Sequence, residues 1–280
     1  MTNGPRKAPG PTGARGTHGG SAPPPAFARP RIAPPLTAVQ PQTKVLVVGV
    51  YLADKPNNID SIVSALAAAT KYDVHQSWAA LGAGPSPRVR SVTRMTVLSS
   101  MPKFALINDL LARHRLDDYE YLILCDDDVE LPERFLDRFL TLQEQLDFRL
   151  AQPARSSASH IDHPIVEQQL GVLARQTWFV ESGPMVCAHR SVFDLLLPFP
   201  LESPMGWGYE GVWSLELARR GLKMGIVDAF PIEHRMRRPV TYYRWQEADE
   251  GRQRLLQARS HRPLDQCFRV LAIVTGDAPR

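Results

Sequence analysis

The chain has 280 residues, 44% hydrophobic and 22% charged, with a formal net charge of +4. These are ordinary values for a globular protein, and no apolar run approaches the roughly 18 residues that a membrane-spanning helix needs. The basic surplus is local: Arg6, Lys7, Arg15, Arg29 and Arg31 precede residue 44 with no acid among them, leaving 28 basic against 29 acidic residues in the rest. A basic tail on a neutral domain is only a weak argument for nucleic acid, and no nucleic-acid partner is expected. Cys125, Cys187 and Cys267 are odd in number and far apart, which argues against a disulfide framework and a thiolate zinc site. The polar N-terminus lacks the basic-then-apolar order of a secretory signal, so a cytoplasmic protein is expected.

Residues 1–43 contain Pro23-Pro24-Pro25, Pro34-Pro35 and Gly19-Gly20. With few large apolar side chains to offset chain entropy, they are expected to form a disordered tail. Residues 45–51 are a continuous apolar, largely β-branched run, the mark of a parallel strand buried on both faces. Asn58 is placed to cap a helix over 59–71, where Ile62, Val63 and Leu66 fall at helical spacing, and a strand over 73–81 completes a β-α-β unit. Ser100 and Pro102 precede a helix carrying Phe104, Ile107, Leu110 and Leu111. A buried strand at 119–125, a helix at 132–146, a short strand at 149–152 and a polar loop at 153–169 come next. Two strands at 177–181 and 185–188, a helix from Ser191 and a Pro-rich turn then lead to a helix over 209–220, closed by Gly221. The last strand is 223–227. This alternation predicts one α/β domain over 44–262, with a mostly parallel central sheet flanked by helices, and a C-terminal extension over 263–280.

The strongest local signal is Cys125-Asp126-Asp127-Asp128-Val129-Glu130, directly after the apolar strand Tyr121-Leu122-Ile123-Leu124. Three consecutive carboxylates repel one another and ionise together only beside a cation or in solvent. The C-terminal end of a parallel strand is where open α/β sheets bind ligands. In extended backbone Asp126 and Asp128 share a face and can address one hard divalent ion, Mg2+ or Mn2+. The plainer reading is a solvated acidic turn before the helix at Pro132.

In Gly206-Trp207-Gly208-Tyr209-Glu210-Gly211 the glycines let backbone approach a ligand, the indole offers a platform for a sugar ring, and Glu210 lies in the first helical turn. Alternatively, Trp207 is a core side chain and Glu210 a helix-start acid. His234 lies just beyond the last strand, where a lone histidine is more often structural than a ligand. His160-Ile161-Asp162-His163 has a metal-like composition but no further ligand at useful spacing. Tyr242-Tyr243-Arg244-Trp245 and the basic run 252–262 read as a helix that either packs on the domain or makes an acceptor, partner or peripheral membrane contact.

In this order the segments resemble nucleotide-sugar glycosyltransferases of the GT-A fold, family 2. Lys103-Phe104-Ala105-Leu106-Ile107-Asn108 and then Asp126-Asp127-Asp128 are similar to that family's lysine and asparagine on a helix and strand ending in D-x-D. Glu181-Ser182-Gly183-Pro184-Met185, with Arg190 and Phe193, resembles its later strand and helix. Gly206-Trp207-Gly208-Tyr209-Glu210 with Ala218-Arg219-Arg220-Gly221 resembles its acceptor loop and catalytic helix, and His234 falls where many members have a metal-ligand histidine.

The resemblance spans about residues 44–238. It implies a metal-dependent inverting transferase that moves a sugar from a nucleotide-diphosphate donor to a hydroxyl of a glycan, lipid or small molecule. It implies Glu210 as base, Asp128 and His234 as ligands of Mn2+ or Mg2+, and Trp207 and Gly208 at the acceptor. Val50, Tyr51, Lys103, Asp126 and Asp127 would surround the nucleotide sugar. Family members usually carry Glu-Asp where this chain has Tyr209-Glu210-Gly211. Counting back from Gly221 puts the base at Glu210. Aligning on Glu-Asp itself puts Gly211 there, and the chain is then an inactive sugar-binding or scaffolding protein. Asp126-x-Asp128 after an apolar strand also suits a haloacid-dehalogenase-type phosphatase, although Glu130 replaces that family's usual Thr or Val and the motif lies more than 80 residues into the fold.

Overall fold

The computed structural model describes residues 42–237, 243–276 and 278, so the expected tail lies outside the described residues except at its last two positions. The strands are β1 (Thr43–Leu52), β2 (Tyr72–Leu81), β3 (Thr93–Val97), β4 (Tyr121–Cys125), β5 (Val129–Glu130), β6 (Phe148–Arg155), β7 (Ala174–Thr177), β8 (Met185–His189), β9 (Lys223–His234) and β10 (Val270–Val274). The helices are α1 (Ile59–Ala67), α2 (Lys103–Leu111), α3 (Phe135–Gln145), α4 (Phe193–Leu196), α5 (Tyr209–Arg219), α6 (Trp245–Ala258) and α7 (Leu264–Cys267). None of them is long and apolar enough to cross a membrane.

One sheet runs in the order β10-β7-β9-β6-β8-β4-β1-β2-β3, with β5 paired to β9 off this path. Only β7 and β8 on the path run against the rest, as the parallel β1–β2, β1–β4 and β6–β9 pairs and the antiparallel β4–β8 and β7–β9 pairs require. Side chains of β1 alternate between the two faces, as a strand covered on both sides must. Val45, Val47 and Tyr51 pack with Phe135 and Phe139 of α3, whereas Leu46 and Val48 pack with Phe104 and Ile107 of α2 and Trp213 of α5.

This topology collects the chemistry at one edge. The C-terminal ends of β1, β4, β6 and β9 bring Leu52, Asp126, Arg155 and His234 to the side where β8 begins, and Glu181–Pro184 lead into that strand. The N-termini of α2 and α5 deliver Lys103 and Glu210 to the same side.

Several elements differ from the sequence expectation. The loop expected at 153–169 starts later, because β6 continues to Arg155, and it holds a short 3-10 turn at Pro164–Val166. The strand expected at 177–181 is β7, shifted toward the N-terminus; Arg175 lies within it, buried and bonded through Nε and Nη2 to Asp228 at 2.9 and 2.8 Å. The helix expected from Ser191 is a 3-10 turn at Arg190–Val192 followed by α4. The last expected strand, β9, runs on to His234. Residues 263–280, expected as an extension, supply α7 and the edge strand β10, which pairs antiparallel with β7.

Candidate active site

Each acid of the Asp126–Asp128 triplet meets its own cation or imidazole, which removes the repulsion expected of three adjacent carboxylates. Asp126 Oδ1 lies 2.5 Å from Lys103 Nζ, and its backbone N–H donates to the Pro184 carbonyl at 2.8 Å. Asp127 turns inward: its carboxylate accepts the Leu52 N–H at 2.7 Å and the fork of Arg237, while its carbonyl accepts the Asn58 N–H at 2.6 Å. Burial pushes the Asp127 carboxyl above the usual range, with Arg237 and the Leu52 N–H pulling it back. Asp128 Oδ1 lies 3.2 Å from His234 Nε2, and Oδ2 lies 3.2 Å from Arg237 Nη2. For Asp128 burial also pushes upward, but His234, Arg237 and Lys103 outweigh it and hold the carboxyl below the ordinary value.

The second half of the site is built on the entry to α5. Gly206 and Gly208 adopt φ of +86° and +90°, a left-handed backbone that favours glycine, and together they turn the chain sharply around Trp207. The Trp207 ring stands edge-on to Trp245 at 5.4 Å and to Tyr243 at 6.4 Å between centroids, forming an aromatic wall at the cleft. Tyr209 instead enters the core, stacked on Phe199, with its hydroxyl donating to the Pro200 carbonyl at 2.7 Å. Glu210 reaches back so that its Oε2 accepts the Gly208 N–H at 2.9 Å. Burial pushes Glu210 up to about 7, against the backbone N–H groups of Glu210, Gly208 and Ser182 and the charge of Arg252.

Glu181 joins the two halves. It is buried in contact with the Arg155 guanidinium, and burial pushes it up to about 8, opposed by Arg155 and reinforced by Glu210 and Asp162. Next to it, Ser182 Oγ donates to the Gly206 carbonyl at 3.2 Å, and a Cβ on Gly183 would stand 3.1 Å from Lys103 Nζ and 3.3 Å from Asp126 Oδ2. The short segment 181–183 thus touches both the acidic triplet, through Gly183 beside Lys103 and Asp126, and the Glu210 turn, through Ser182.

Other expected site residues take different surroundings. The Tyr51 ring is buried, and its hydroxyl lies 2.9 Å from Thr93 Oγ1. It borders a cavity of about 330 Å3 at the ends of β1 and β2, also lined by Asn57, Asn58, Ser61 and Gly84. Val50 is half-buried against the α2 face of the core. A larger cavity of about 610 Å3, lined by Asn108, His114, Arg190 and Phe193, opens at the far end of α2 from Lys103 and holds none of these groups. In the 160–163 cluster, Asp162 is bonded to Arg155 at 3.1 Å. The basic run 252–262 is spent largely within the molecule: Arg252 pairs with Asp249 at 2.6 Å, Arg262 stacks on Trp178 at 3.7 Å, and Arg259 lies 3.7 Å from Glu202.

Arg155 and Arg237 were not singled out from the sequence. The only local signal for Arg237 is its place in Arg235-Met236-Arg237, directly after His234. Among the described residues no group of three or more His, Cys, Asp or Glu side chains is arranged around one point for a metal. Asp128 and His234 nevertheless fit two positions of a divalent-ion shell. They pair a buried carboxylate with an imidazole whose Nε2 faces it at 3.2 Å, next to a locus that already attracts the Arg237 cation.

No protein-family model matches the chain, and no curated protein matches it in sequence. Its fold is similar to that of S. aureus TarS 1–349 in complex with UDP-GlcNAc, at 10% identity and a TM-score of 0.50, covering 75% of this chain and 64% of that one. It is also similar to GalNAc-T7 with UDP, GalNAc and Mn2+, at 10% identity and a TM-score of 0.47 over 70% of this chain and 44% of that one. A mycobacterial protein of 18% identity gives a TM-score of 0.45 over 81% of this chain and 75% of that one. The likeness to TarS assigns the GT-A-type α/β fold, and the chain spans less than two thirds of the TarS chain it matches.

Proposed function

We propose that the protein is a nucleotide-sugar glycosyltransferase that transfers a glycosyl group, with inversion, from a nucleotide-diphosphate donor to an acceptor hydroxyl. The observation that carries this reading is the link made by one short segment. The carboxylate triplet at the C-terminal end of β4 and the half-buried carboxylate at the N-terminus of α5 are joined through Ser182 and Gly183, which contact the two sides.

The cavity beside Tyr51 and Asn58 is the place for the nucleoside, adjoining Asp127 through the Asn58 N–H. Lys103, held by Asp126, contributes positive charge toward the phosphates, and Asp127 positions the triplet through Leu52 and Arg237. Asp128 and His234 would hold a divalent cation, with the diphosphate and water filling its other positions. Bound there, the cation supplies neutralisation of the leaving diphosphate.

Glu210 takes the acceptor hydroxyl proton as that oxygen bonds the anomeric carbon, while the bond from that carbon to the phosphate oxygen breaks and its electron pair leaves with the diphosphate. A carboxylate pushed up to about 7 is matched to this task near neutral pH. Trp207, backed by Trp245, offers the acceptor an apolar face. The register that gives Glu210 this role is supported at Gly211: a Cβ there would meet the Arg262 carbonyl at 2.7 Å, so the neighbouring position has no room for a carboxylate aimed at the cleft.

The test is donor hydrolysis. With Mn2+ and UDP- or GDP-sugars, Glu210→Gln is expected to release nucleotide about 10²–10⁴-fold more slowly than wild type while still binding the nucleotide diphosphate. If no nucleotide diphosphate raises the melting temperature with or without Mn2+, or if Glu210→Gln turns over at the wild-type rate, the reading fails.

A further inference from the structure

Each oxygen of Asp128 already has a charged or imidazole neighbour: one faces His234 Nε2 and the other faces Arg237 Nη2, each at 3.2 Å. The same guanidinium is forked onto Asp127 and donates to the Pro56 carbonyl at 2.9 Å. Its hold on Asp127 is bidentate and partly buried, whereas its reach to Asp128 is through Nη2 at 3.2 Å. We propose that Arg237 is the resting counter-ion of Asp128 and yields that contact when a divalent cation binds, so that cation binding is coupled to the arrival of a diphosphate.

The inference rests on the reading of the cleft as a nucleotide-diphosphate site and adds to it a competitor carried by the chain itself. A divalent ion approaching Asp128 is repelled by a guanidinium already in contact with it. The ion gains full access only when Nη2 turns to another anionic acceptor. Phosphate oxygens suit that role, because a planar guanidinium fork matches them geometrically and bonds them strongly. Cation alone therefore binds weakly, and cation with diphosphate binds together. Without either, Arg237 keeps Asp127 and Asp128 compatible in one buried turn, since two adjacent buried carboxylates without a counter-charge would be costly.

Mn2+ uptake by the full chain, followed by electron paramagnetic resonance of free Mn2+ with and without inorganic pyrophosphate, tests this for wild type, Arg237→Lys and Arg237→Gln. Protein-free Mn2+–pyrophosphate mixtures provide the baseline. Lysine keeps a positive charge for Asp127 but cannot fork onto two carboxylates. Wild type is expected to take up Mn2+ about tenfold more tightly with pyrophosphate than without. Both variants are expected to bind Mn2+ alone about 5- to 10-fold more tightly than wild type, which shrinks the dependence on pyrophosphate. Circular dichroism on the same samples reports folding, and Arg237→Lys decides the matter if Arg237→Gln does not fold. Variants that bind Mn2+ alone as wild type does, or more weakly, overturn the role of Arg237 and leave the cation site standing. No uptake by any of the three proteins, with or without pyrophosphate, overturns both.

Discussion

Lys103, the first residue of α2, and Asp126, the first residue beyond β4, meet at 2.5 Å beside the bare Cα of Gly183. A Cβ on Gly183 would sit within 3.3 Å of both partners, closer than side-chain contacts normally allow, yet the atom it presses is the far end of a flexible lysine. Gly183→Ala should therefore keep the fold and displace the ion pair. We expect nucleotide-diphosphate affinity to fall about tenfold with little change in melting temperature. Isothermal titration calorimetry checks this, and unchanged affinity would separate the pair from donor binding.

Glu181 rises from 4.5 to about 8 on burial, and Glu210 from 4.5 to about 7. Between those values the folded protein keeps protons that the unfolded chain has released. The associated stability is complete at and below pH 4.5 and is lost as the pH climbs through 7 and 8. Glu181→Gln keeps the shape and cannot ionise, so its melting temperature should fall less steeply than that of wild type across this range. Parallel curves for the two proteins would show that Glu181 is ionised in the fold throughout.

Arg175 and Asp228 form an ion pair in which both residues are at most 1% exposed, and the arginine also donates to the carbonyls of Ile165 and Glu167 at 2.7 and 2.9 Å. Removing one member leaves the other buried and uncompensated. Asp228→Ala should cost about 3–5 kcal/mol, read as a shift in the urea midpoint, whereas a loss below about 1 kcal/mol would mean that water reaches the arginine.

Gly211 lies where α5 receives the chain coming from α6: its carbonyl accepts the Arg262 N–H at 2.9 Å, and a Cβ on it would lie 2.7 Å from the Arg262 carbonyl. Backbone cannot yield as a lysine tip can. Gly211→Ala should therefore destabilise by about 1–3 kcal/mol through overpacking, despite alanine's better helix propensity. A stabilised variant in thermal melts would contradict the packing described.

β1 and β4 were legible because strands buried on both faces are written as unbroken apolar runs, and α5 because Gly221 ends it in the left-handed conformation, at φ +65°. β3, Thr-Arg-Met-Thr-Val, escaped because an edge strand with no fully buried residue carries no such run. The far half of β9 escaped for a different reason: Pro231 and Glu233 read as loop, although in this strand Ile232 and His234 alternate inward with them. β7 begins three residues before the expected strand and takes in Arg175, whose buried partner Asp228 lies 53 residues away and leaves no local signal. In the site, the acidic triplet and Glu210 could be found from local spacing. Arg155 and Arg237 could not, since each is defined by a carboxylate brought to it only by the sheet, Arg237 across 110 residues.

The outer edge of β7 waits for a strand made much later: Ala174 pairs with Val274, one hundred residues further along. While the ribosome is still extending the chain, β7 can dock on β9 yet keeps a row of backbone donors and acceptors open on its other side, and α5 still lacks its bond from Arg262. An open strand edge is a template for pairing with the wrong neighbour, most of all in a crowded, half-made domain. A polysome carrying many such chains holds many identical edges close together. Between the synthesis of β9 and that of β10 the sheet is therefore otherwise built yet still carries this open edge, which only the last strand, β10, covers.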